Sequence, residues 1–593
     1  MTEYRTNADS RSRQEIWIRT LMVAVLLLGA LLLWHDLDEH EVLGRDENAT
    51  IVKLDQPSLV AVAHASGIKA NGQPSSMQPL YFLLQHLAWP LVDHSAFLLR
   101  FLPSVFALLG IVFTYKLGEA LWSPTVGLVG GLLVAVLPLY VEYGQIIRPY
   151  SLFALLSLAS AYFLVVGLKS RRPAYWIGFV VASSLNIYTH FNALFVLAAE
   201  GMFAAAIWLT SLVKLLKQQR RQGTVPTAEW VRPLAFPVLS FALVGLLCIP
   251  AILRLLELRW VGPESGAVAG EVIVQLTTDF FYRYLYKIGL TSAWLRGLIL
   301  GLMGLGFAIT LYRRRWQAAL LSLLWLAIPF LVLSVVNSPR PFAERYVIFV
   351  PPVALLLAGQ GVVGIGQAAG RLGRRWNAGA IRYATIAAIS FGLVLLFLTP
   401  LQYHYANSRA AHRLDLTMDV LQRRAQPGDV VVVSPRFFID PLEANGAKVL
   451  YLTRHLSDAE MEELTTQYQR LWVLYTSYIV PAELQEPLDR WVQAQGDEFA
   501  LVRIKASTTL AYRGQALGDM EARLLDRSDL LLEMAEASAD EKEGWLRYNI
   551  LADTYEALSE LYEQQGKREQ ANEYRNKADE ARQVAADLLP GTG

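Results

Sequence analysis

Cysteine is nearly absent from this chain. Cys248 is the only one in 593 residues, which excludes an intrachain disulfide framework and a Cys-rich metal site. Net charge is equally scant: 53 Lys and Arg stand against 52 Asp and Glu, for a balance of +1, so no bulk field argues for nucleic acid as a partner. No glycine-rich phosphate loop follows the first strand-like stretch of the C-terminal region, so no nucleotide site is claimed. A signal-peptide cleavage site is also missing. The first apolar run, Ile16–Trp34, has Arg5, Arg11, Arg13 and Arg19 before it, but Trp34-His35-Asp36 follows directly with no small-residue motif. It therefore reads as an uncleaved first helix.

What the chain has in abundance is apolar length. At 54% hydrophobic residues it is too apolar for an ordinary soluble protein of its size. Runs fit to cross the roughly 30 Å hydrocarbon layer follow the first at 95–117, 127–140, 150–168, 175–188, 193–213, 234–256, 293–311, 318–336, 346–365 and 383–398. That predicts about eleven transmembrane helices, with the third and fifth the shortest. With the N-terminus inside, the cytoplasmic breaks carry Lys169, Arg171 and Arg172, then Lys214, Lys217, Arg220 and Arg221. Next come Arg313, Arg314 and Arg315, and finally Arg371, Arg374, Arg375 and Arg382. Every basic cluster falls on one side, as the positive-inside rule requires. The expected location is a plasma membrane, with the N-terminus cytoplasmic and the C-terminal domain outside.

Two outer breaks are long. In 35–94 the apolar piece 80–91 is too short to cross and, with Gln85, His86, Trp89 and Pro90, reads as a helix lying in the interface. In 257–289, Gly262-Pro263-Glu264-Ser265-Gly266 precedes an aromatic and basic run from Phe280 to Lys287. That run fits either an aromatic belt segment or a mobile loop over a lipid-facing cleft.

Three domains are expected: 1–400 in the membrane, an extracytoplasmic α/β domain over 401–515, and a helical segment over 516–593. After Pro427-Gly428-Asp429, short apolar strands at 430–433, 448–452, 471–475 and 499–504 alternate with helical stretches such as 458–470. They predict a largely parallel sheet. Farther on, Trp545, Leu546, Tyr548, Leu551, Tyr555, Leu558 and Tyr562 recur at helical spacing. Residues 548–578 resemble one tetratricopeptide-like pair, which needs a neighbour to bury its face, either the α/β domain or a protein partner.

The chemistry is expected on the outer side, where four polar clusters share one face. They are Asp46-Glu47 after the first span, the stretch from Glu142 to Tyr150 with Gln145 and Arg148, then Tyr188-Thr189-His190, and Glu344-Arg345-Tyr346. Each alone fits a bland role: a polar loop for the carboxylates, headgroup anchors for Arg148 and Arg345, a helix-end partner for His190. Together they favour a polar cleft, because ionisable groups at membrane depth are costly unless paired or lining a cavity.

At these residues the chain resembles membrane glycosyltransferases of the type C fold, particularly family 39, the protein O-mannosyltransferases and bacterial aminoarabinose transferases. The family's Asp-Glu pair in the first outer loop is matched by Asp46-Glu47. A Tyr-Ala-Gln-Glu-Ala-Arg-Pro-Tyr-like stretch is matched by Tyr143, Gln145, Arg148, Pro149 and Tyr150. A Tyr-Thr-His stretch is matched by Tyr188-Thr189-His190, and an Arg-Tyr opening a late span by Arg345-Tyr346. The resemblance covers about 15–400. Departures are Gln78 where a basic residue usually precedes Pro-Leu, Ile146 in place of a glutamate, and a longer tail.

The resemblance implies a sugar donor linked to polyprenyl phosphate, a lipid, glycan or protein acceptor, and inversion at the anomeric carbon. A donor whose leaving group is already a phosphate needs no nucleotide site. In the assignment it suggests, Asp46 is the base and Glu47 its partner. Arg148 and Arg345 bind donor phosphate, and Glu142, Gln145, Tyr150, His190 and Tyr346 orient the substrates. No cofactor is required. A divalent metal would sit beside Asp46 and Glu47, but the ligands there are too sparse to predict one. The competing class is a transporter or flippase of lipid-linked sugars, which predicts functional charges in mid-span and broken helices.

Overall fold

The computed structural model forms two compact units, one of Met1–Glu39, Thr50–Lys69 and Pro74–Tyr405, the other of His40–Ala49, Ala70–Gln73 and Ala406–Gly593. It describes residues 2–35, 37, 45–54, 56–67, 75, 77–92, 95–170, 172–222, 227–260, 278–334, 343–373, 375, 377–410, 420–434, 445–451, 457–468, 470–476, 490–491, 494, 502–504, 508–514, 520–536 and 544–588.

In chain order the membrane part runs α1 (Thr2–Trp34), α2 (Arg45–Leu54), α3 (Leu59–Ser66), α4 (Leu80–Val92), α5 (Ala96–Leu121), α6 (Pro124–Ala135), α7 (Pro138–Gly144), α8 (Tyr150–Ser170), α9 (Pro173–Ile187), α10 (Ala193–Gln222), α11 (Thr227–Leu247), α12 (Ile249–Trp260) and α13 (Thr278–Lys287). Then follow α14 (Ala293–Tyr312), α15 (Trp316–Leu333), the 3₁₀ turn Glu344–Val347, α16 (Val350–Leu372) and α17 (Ala378–Ala410). Local chemistry sets the boundaries. Ser95, Ser123 and Ser292 cap α5, α6 and α14 by accepting the backbone N–H of Leu98, Val126 and Leu295. Proline opens α6, α7 and α9, where a missing N–H costs nothing.

Among the described residues eight helices are long and apolar enough to cross a membrane, or up to ten if each of two bent pairs is one span. Pro173–Ile187 is an apolar helix of shorter length. The apolar runs read from the sequence fall on these elements, with two differences. The run 127–140 is a broken helix, α6 turning by 67° into α7, because Pro138 cannot continue the backbone ladder of α6. The run 234–256 bends by 53° between α11 and α12. The piece 80–91 is a helix, α4, and the aromatic run in the long break 257–289 is α13. Gly262 to Gly266 lies outside the described residues.

Without a hydrophobic drive between helices in lipid, close approach at small residues holds the bundle. On α14 and α16 the backbones nearly touch: a Cβ on Gly306 would sit 1.9 Å from the Leu357 carbonyl oxygen, and one on Gly361 2.3 Å from that of Leu302. The most buried of the long apolar helices are α8 and α16, with 72% and 67% of their windows buried, against 33% for α14 and 22% for α1.

The second unit holds a five-stranded sheet of order β2-β1-β3-β5-β4, made of β1 (Val430–Ser434), β2 (Lys448–Tyr451), β3 (Arg470–Thr476), β4 (Val502–Ile504) and β5 (Thr508–Gly514). β1 pairs in parallel with β2 and β3, but β5 is antiparallel to both β3 and β4. The expectation of a largely parallel sheet is therefore corrected to a mixed one: β4 and β5 are joined too closely for a crossover helix, and so must run antiparallel. Alternation along β1 sorts two cores. Val430 and Val432 face Met461 of α18 (Asp458–Gln467), whereas Val431 and Val433 face a helical layer. That layer is α19 (Met520–Glu536), α20 (Gly544–Gln564) and α21 (Arg568–Leu588). The tetratricopeptide-like pair is the hairpin α20–α21, and its neighbours are α19 and the sheet.

Candidate functional site

Several helix ends at one end of the bundle converge. The loop between α7 and α8 contributes Arg148 and Tyr150, the turn between α9 and α10 contributes His190, and the 3₁₀ turn before α16 contributes Glu344, Arg345 and Tyr346. Tyr150, buried at the first position of α8, is the centre. The guanidinium carbons of Arg148 and Arg345 both lie 5.9 Å from its ring centroid, and the Tyr143 ring meets it edge-on at 5.0 Å. Arg345 also lies 5.5 Å from the Tyr346 ring and hydrogen-bonds the Tyr143 hydroxyl. Arg148 donates to Thr50 Oγ1 at 3.4 Å, which docks α2 against this loop.

His190 stacks on Phe153 at 4.9 Å and lies near Tyr150 and Tyr346, at 5.9 and 6.0 Å. Its Nδ1 accepts the backbone N–H of Asn192 at 3.1 Å, which leaves Nε2 as the protonated nitrogen of a neutral ring. Burial, then the Arg148 and Arg345 charges, push the imidazole down to about 4. Asn192 in turn donates to the Tyr346 carbonyl at 3.0 Å, so the two turns are tied together.

The remaining candidates fall as follows. Glu142 sits on α7 within electrostatic reach of Glu344 and Arg345. Glu344 also pairs with Lys287 of α13 at 3.6 Å. Gln145 points elsewhere: its Nε2 donates to the carbonyls of Leu32, Leu33 and His35, at 3.3, 3.3 and 2.9 Å, and so satisfies the exposed end of α1. Glu47 is buried on α2, one turn before the equally buried Thr50. Asp46 belongs to the same helix, and its side chain lies outside the described residues. Among the described residues no three His, Cys, Asp or Glu side chains come together as a metal site would need.

Four features had no place in the sequence assignment. Lys53, two turns beyond Asp46 on α2, is buried and donates to the Ser66 carbonyl at 3.1 Å. Burial, then Arg148 and Arg254, lower its ammonium to about 8. Arg254, whose signal was a lone cation inside an apolar run, donates to the Ser75 carbonyl at 3.2 Å. Gln78 is buried, and among the described residues neither of its amide atoms has a hydrogen-bond partner. Glu200 breaks the rule that the ionisable groups gather at one end: it lies buried inside α10 and accepts from Ser160 at 2.7 Å.

Residues 73–220 match a family model described as dolichyl-phosphate-mannose-protein mannosyltransferase. The structure of ArnT from Cupriavidus metallidurans in the apo state is similar at 14% identity and a TM-score of 0.51, covering 85% of this chain and 99% of that one. The same protein bound to undecaprenyl phosphate aligns at 14% identity and 0.47, over 84% and 98%. The Archaeoglobus fulgidus oligosaccharyltransferase in the apo form aligns at 12% and 0.44, over 82% and 73%. No curated protein matches. The fold defines the class: this is a multi-pass α-helical membrane protein with the type C glycosyltransferase fold. Over residues 73–220 it is similar to the dolichyl-phosphate-mannose-protein mannosyltransferase family, the kind of resemblance that its Arg-Pro-Tyr, Tyr-Thr-His and Arg-Tyr stretches lead one to expect.

Proposed function

We propose that the protein is a membrane glycosyltransferase that moves a hexosyl or pentosyl group from a polyprenyl-phosphate donor to a hydroxyl acceptor on the extracytoplasmic side. The observation that carries this reading is the pair of guanidiniums, Arg148 and Arg345, held against one buried phenol ring. The planar fork of each arginine suits phosphate oxygens. The description of the matched family supports a sugar carried on a lipid phosphate.

In the reaction the acceptor oxygen attacks the anomeric carbon while the bond from that carbon to the phosphate oxygen breaks. The electron pair leaves on the polyprenyl phosphate, where Arg148 and Arg345 stabilise the growing charge. The acceptor proton passes to Asp46, with Glu47 beside it; attack from the face opposite the phosphate inverts the carbon. A neutral His190 with its proton on Nε2 is suited to donate to a sugar or phosphate oxygen without adding charge. The two broken helices are what a carrier of lipid-linked sugars would show, yet the arginines lie at helix ends rather than in mid-span, which favours transfer.

The test is transfer by the purified protein from a polyprenyl-phosphate sugar, comparing Asp46→Asn with Glu47→Gln. A general base contributes about 10²- to 10⁴-fold, so Asp46→Asn should lose that much turnover while still inserting and binding donor. If Glu47→Gln is the inactive variant, the roles are exchanged. If both keep full turnover, the carboxylate pair is not the catalytic centre. Accumulation of the lipid-linked sugar on the inner leaflet in a deletion strain would favour the carrier instead.

A further inference from the structure

A second polar feature lies at the opposite end of the bundle. α8 starts at Tyr150 and ends at Ser170, about 30 Å farther along at 1.5 Å per residue. There, at the end that charge asymmetry assigns to the cytoplasm, a cavity of about 360 Å³ opens among Trp122, Leu168, Lys169, Arg314, Arg315 and Trp316. Among the described residues no carboxylate lines it. Lys169 donates to the Ala120 carbonyl, and Arg315 Nη1 donates to the carbonyls of Leu121 and Trp122. The cations thus hold the carbonyl end of α5, as cations near a helix C-terminus do. These bonds use one nitrogen of each side chain. Among the described residues none of Lys169, Arg314 and Arg315 has a carboxylate partner.

The backbone of Arg314 points the same way. α14 ends in a Schellman motif: the N–H of Arg315 bonds the Thr310 carbonyl at 3.0 Å and that of Arg314 the Leu311 carbonyl at 2.8 Å. The residue between must take a left-handed conformation, and Arg314 does, with φ 55°. Glycine adopts it at no steric cost and is the usual occupant. An arginine stands where the fold alone would favour glycine, beside a cavity lined by two further cations, Lys169 and Arg315.

We propose that this cavity takes the phosphate headgroup of an anionic membrane lipid. The phosphate sits among Lys169, Arg314 and Arg315, and the glycerol and first acyl carbons lie against Trp122, Leu168 and Trp316. Cations at helix ends meet the headgroup level, and basic pockets between transmembrane helices suit such lipids. Indole rings favour the same depth. Free phosphate shares the charge but has nothing to place on the apolar wall. The proposal is independent of the transfer reaction at the other end.

The test uses the full-length protein in phosphatidylcholine nanodiscs, with phosphatidylglycerol titrated in and retained lipid counted by native mass spectrometry. One saturable phosphatidylglycerol is expected, not displaced by excess inorganic phosphate. Arg314→Gly should weaken its binding about fivefold, the effect of one cation near a headgroup, while thermal stability stays equal or rises because backbone strain is relieved. Lys169→Gln should weaken binding by a similar factor. Phosphatidylglycerol binding unchanged in both variants would overturn the proposal. So would phosphatidylglycerol binding no better than phosphatidylcholine, or displacement by inorganic phosphate, which would mark a site for a free anion.

Discussion

Arg148 and Arg345 each lie 5.9 Å from the centre of the Tyr150 ring, and in the proposed reaction their planar forks meet the phosphate oxygens. Arg148→Ala and Arg345→Ala are therefore expected to insert normally yet lose about 10²- to 10³-fold in turnover, the cost of removing a donor aimed at developing charge. Lysine should restore only part, since a point charge lacks the fork. Near-normal turnover of both alanine variants with a polyprenyl-phosphate sugar would remove the phosphate assignment. His190 makes a prediction of a different kind. Its folded pKa is about 4 and its unfolded value is near 6.5. Between these values the unfolded chain binds the proton and the folded one does not. Stability is thus unaffected above about pH 6.5 and falls as pH drops toward 4. His190→Gln should flatten that decline in detergent melts across the window, and an identical slope in both proteins would refute it. At this scale the arginines and His190 were legible because they sit in motifs. Lys53 was not, because its role depends on α2 docking beside Arg148, which no local pattern announces. Gln145 was legible as a motif residue, but its bonds to the end of α1 depend on how that helix finishes.

At the scale of elements, apolar length located the helices because lipid demands internal hydrogen bonding over a fixed thickness. Bends were harder: the turn between α6 and α7 needs only Pro138 inside an unbroken apolar run, and hydropathy does not register it. Strand β5, Thr508–Gly514, escaped notice because its residues are mostly small or polar and it is defined by partners on both sides rather than by its own pattern. Helix contacts lend themselves to a sharp comparison within one helix. Gly306 faces the Leu357 carbonyl, whereas a Cβ on Gly304 would meet nothing within 4 Å. Gly306→Ala is expected to lower stability by about 1–3 kcal/mol through overpacking. Gly304→Ala should leave it equal or raise it slightly, as alanine is the better helix former. Equal melting temperatures for the two variants would show that α14 and α16 do not pack through this contact.

For the whole molecule, orientation follows from where the cations lie. Reporter fusions after Arg172, Arg221, Arg315 and Arg375 should report inside, and one after Gly428 outside. An inside signal at Gly428 would mean that a span, the broken α6–α7 or the 15-residue α9, does not cross. Composition alone marks where the apolar runs stop, near residue 400. It could not foresee that the sheet would be mixed, or that α19 would join the C-terminal hairpin in covering one of its faces, because both depend on contacts distant in sequence. The loop between α7 and α8 has a further effect on the chain as a polymer. Gln145 holds the carbonyl of His35 and, three residues on, Arg148 holds Thr50. The chain from His35 to Thr50 is thereby a ring closed by a short clip, and the carboxylate pair lies on it. Closure entropy grows only with the logarithm of ring size, about 0.6 kcal/mol per doubling. Lengthening the segment between the first helix and the carboxylates should therefore cost little, whereas breaking the clip releases the whole ring.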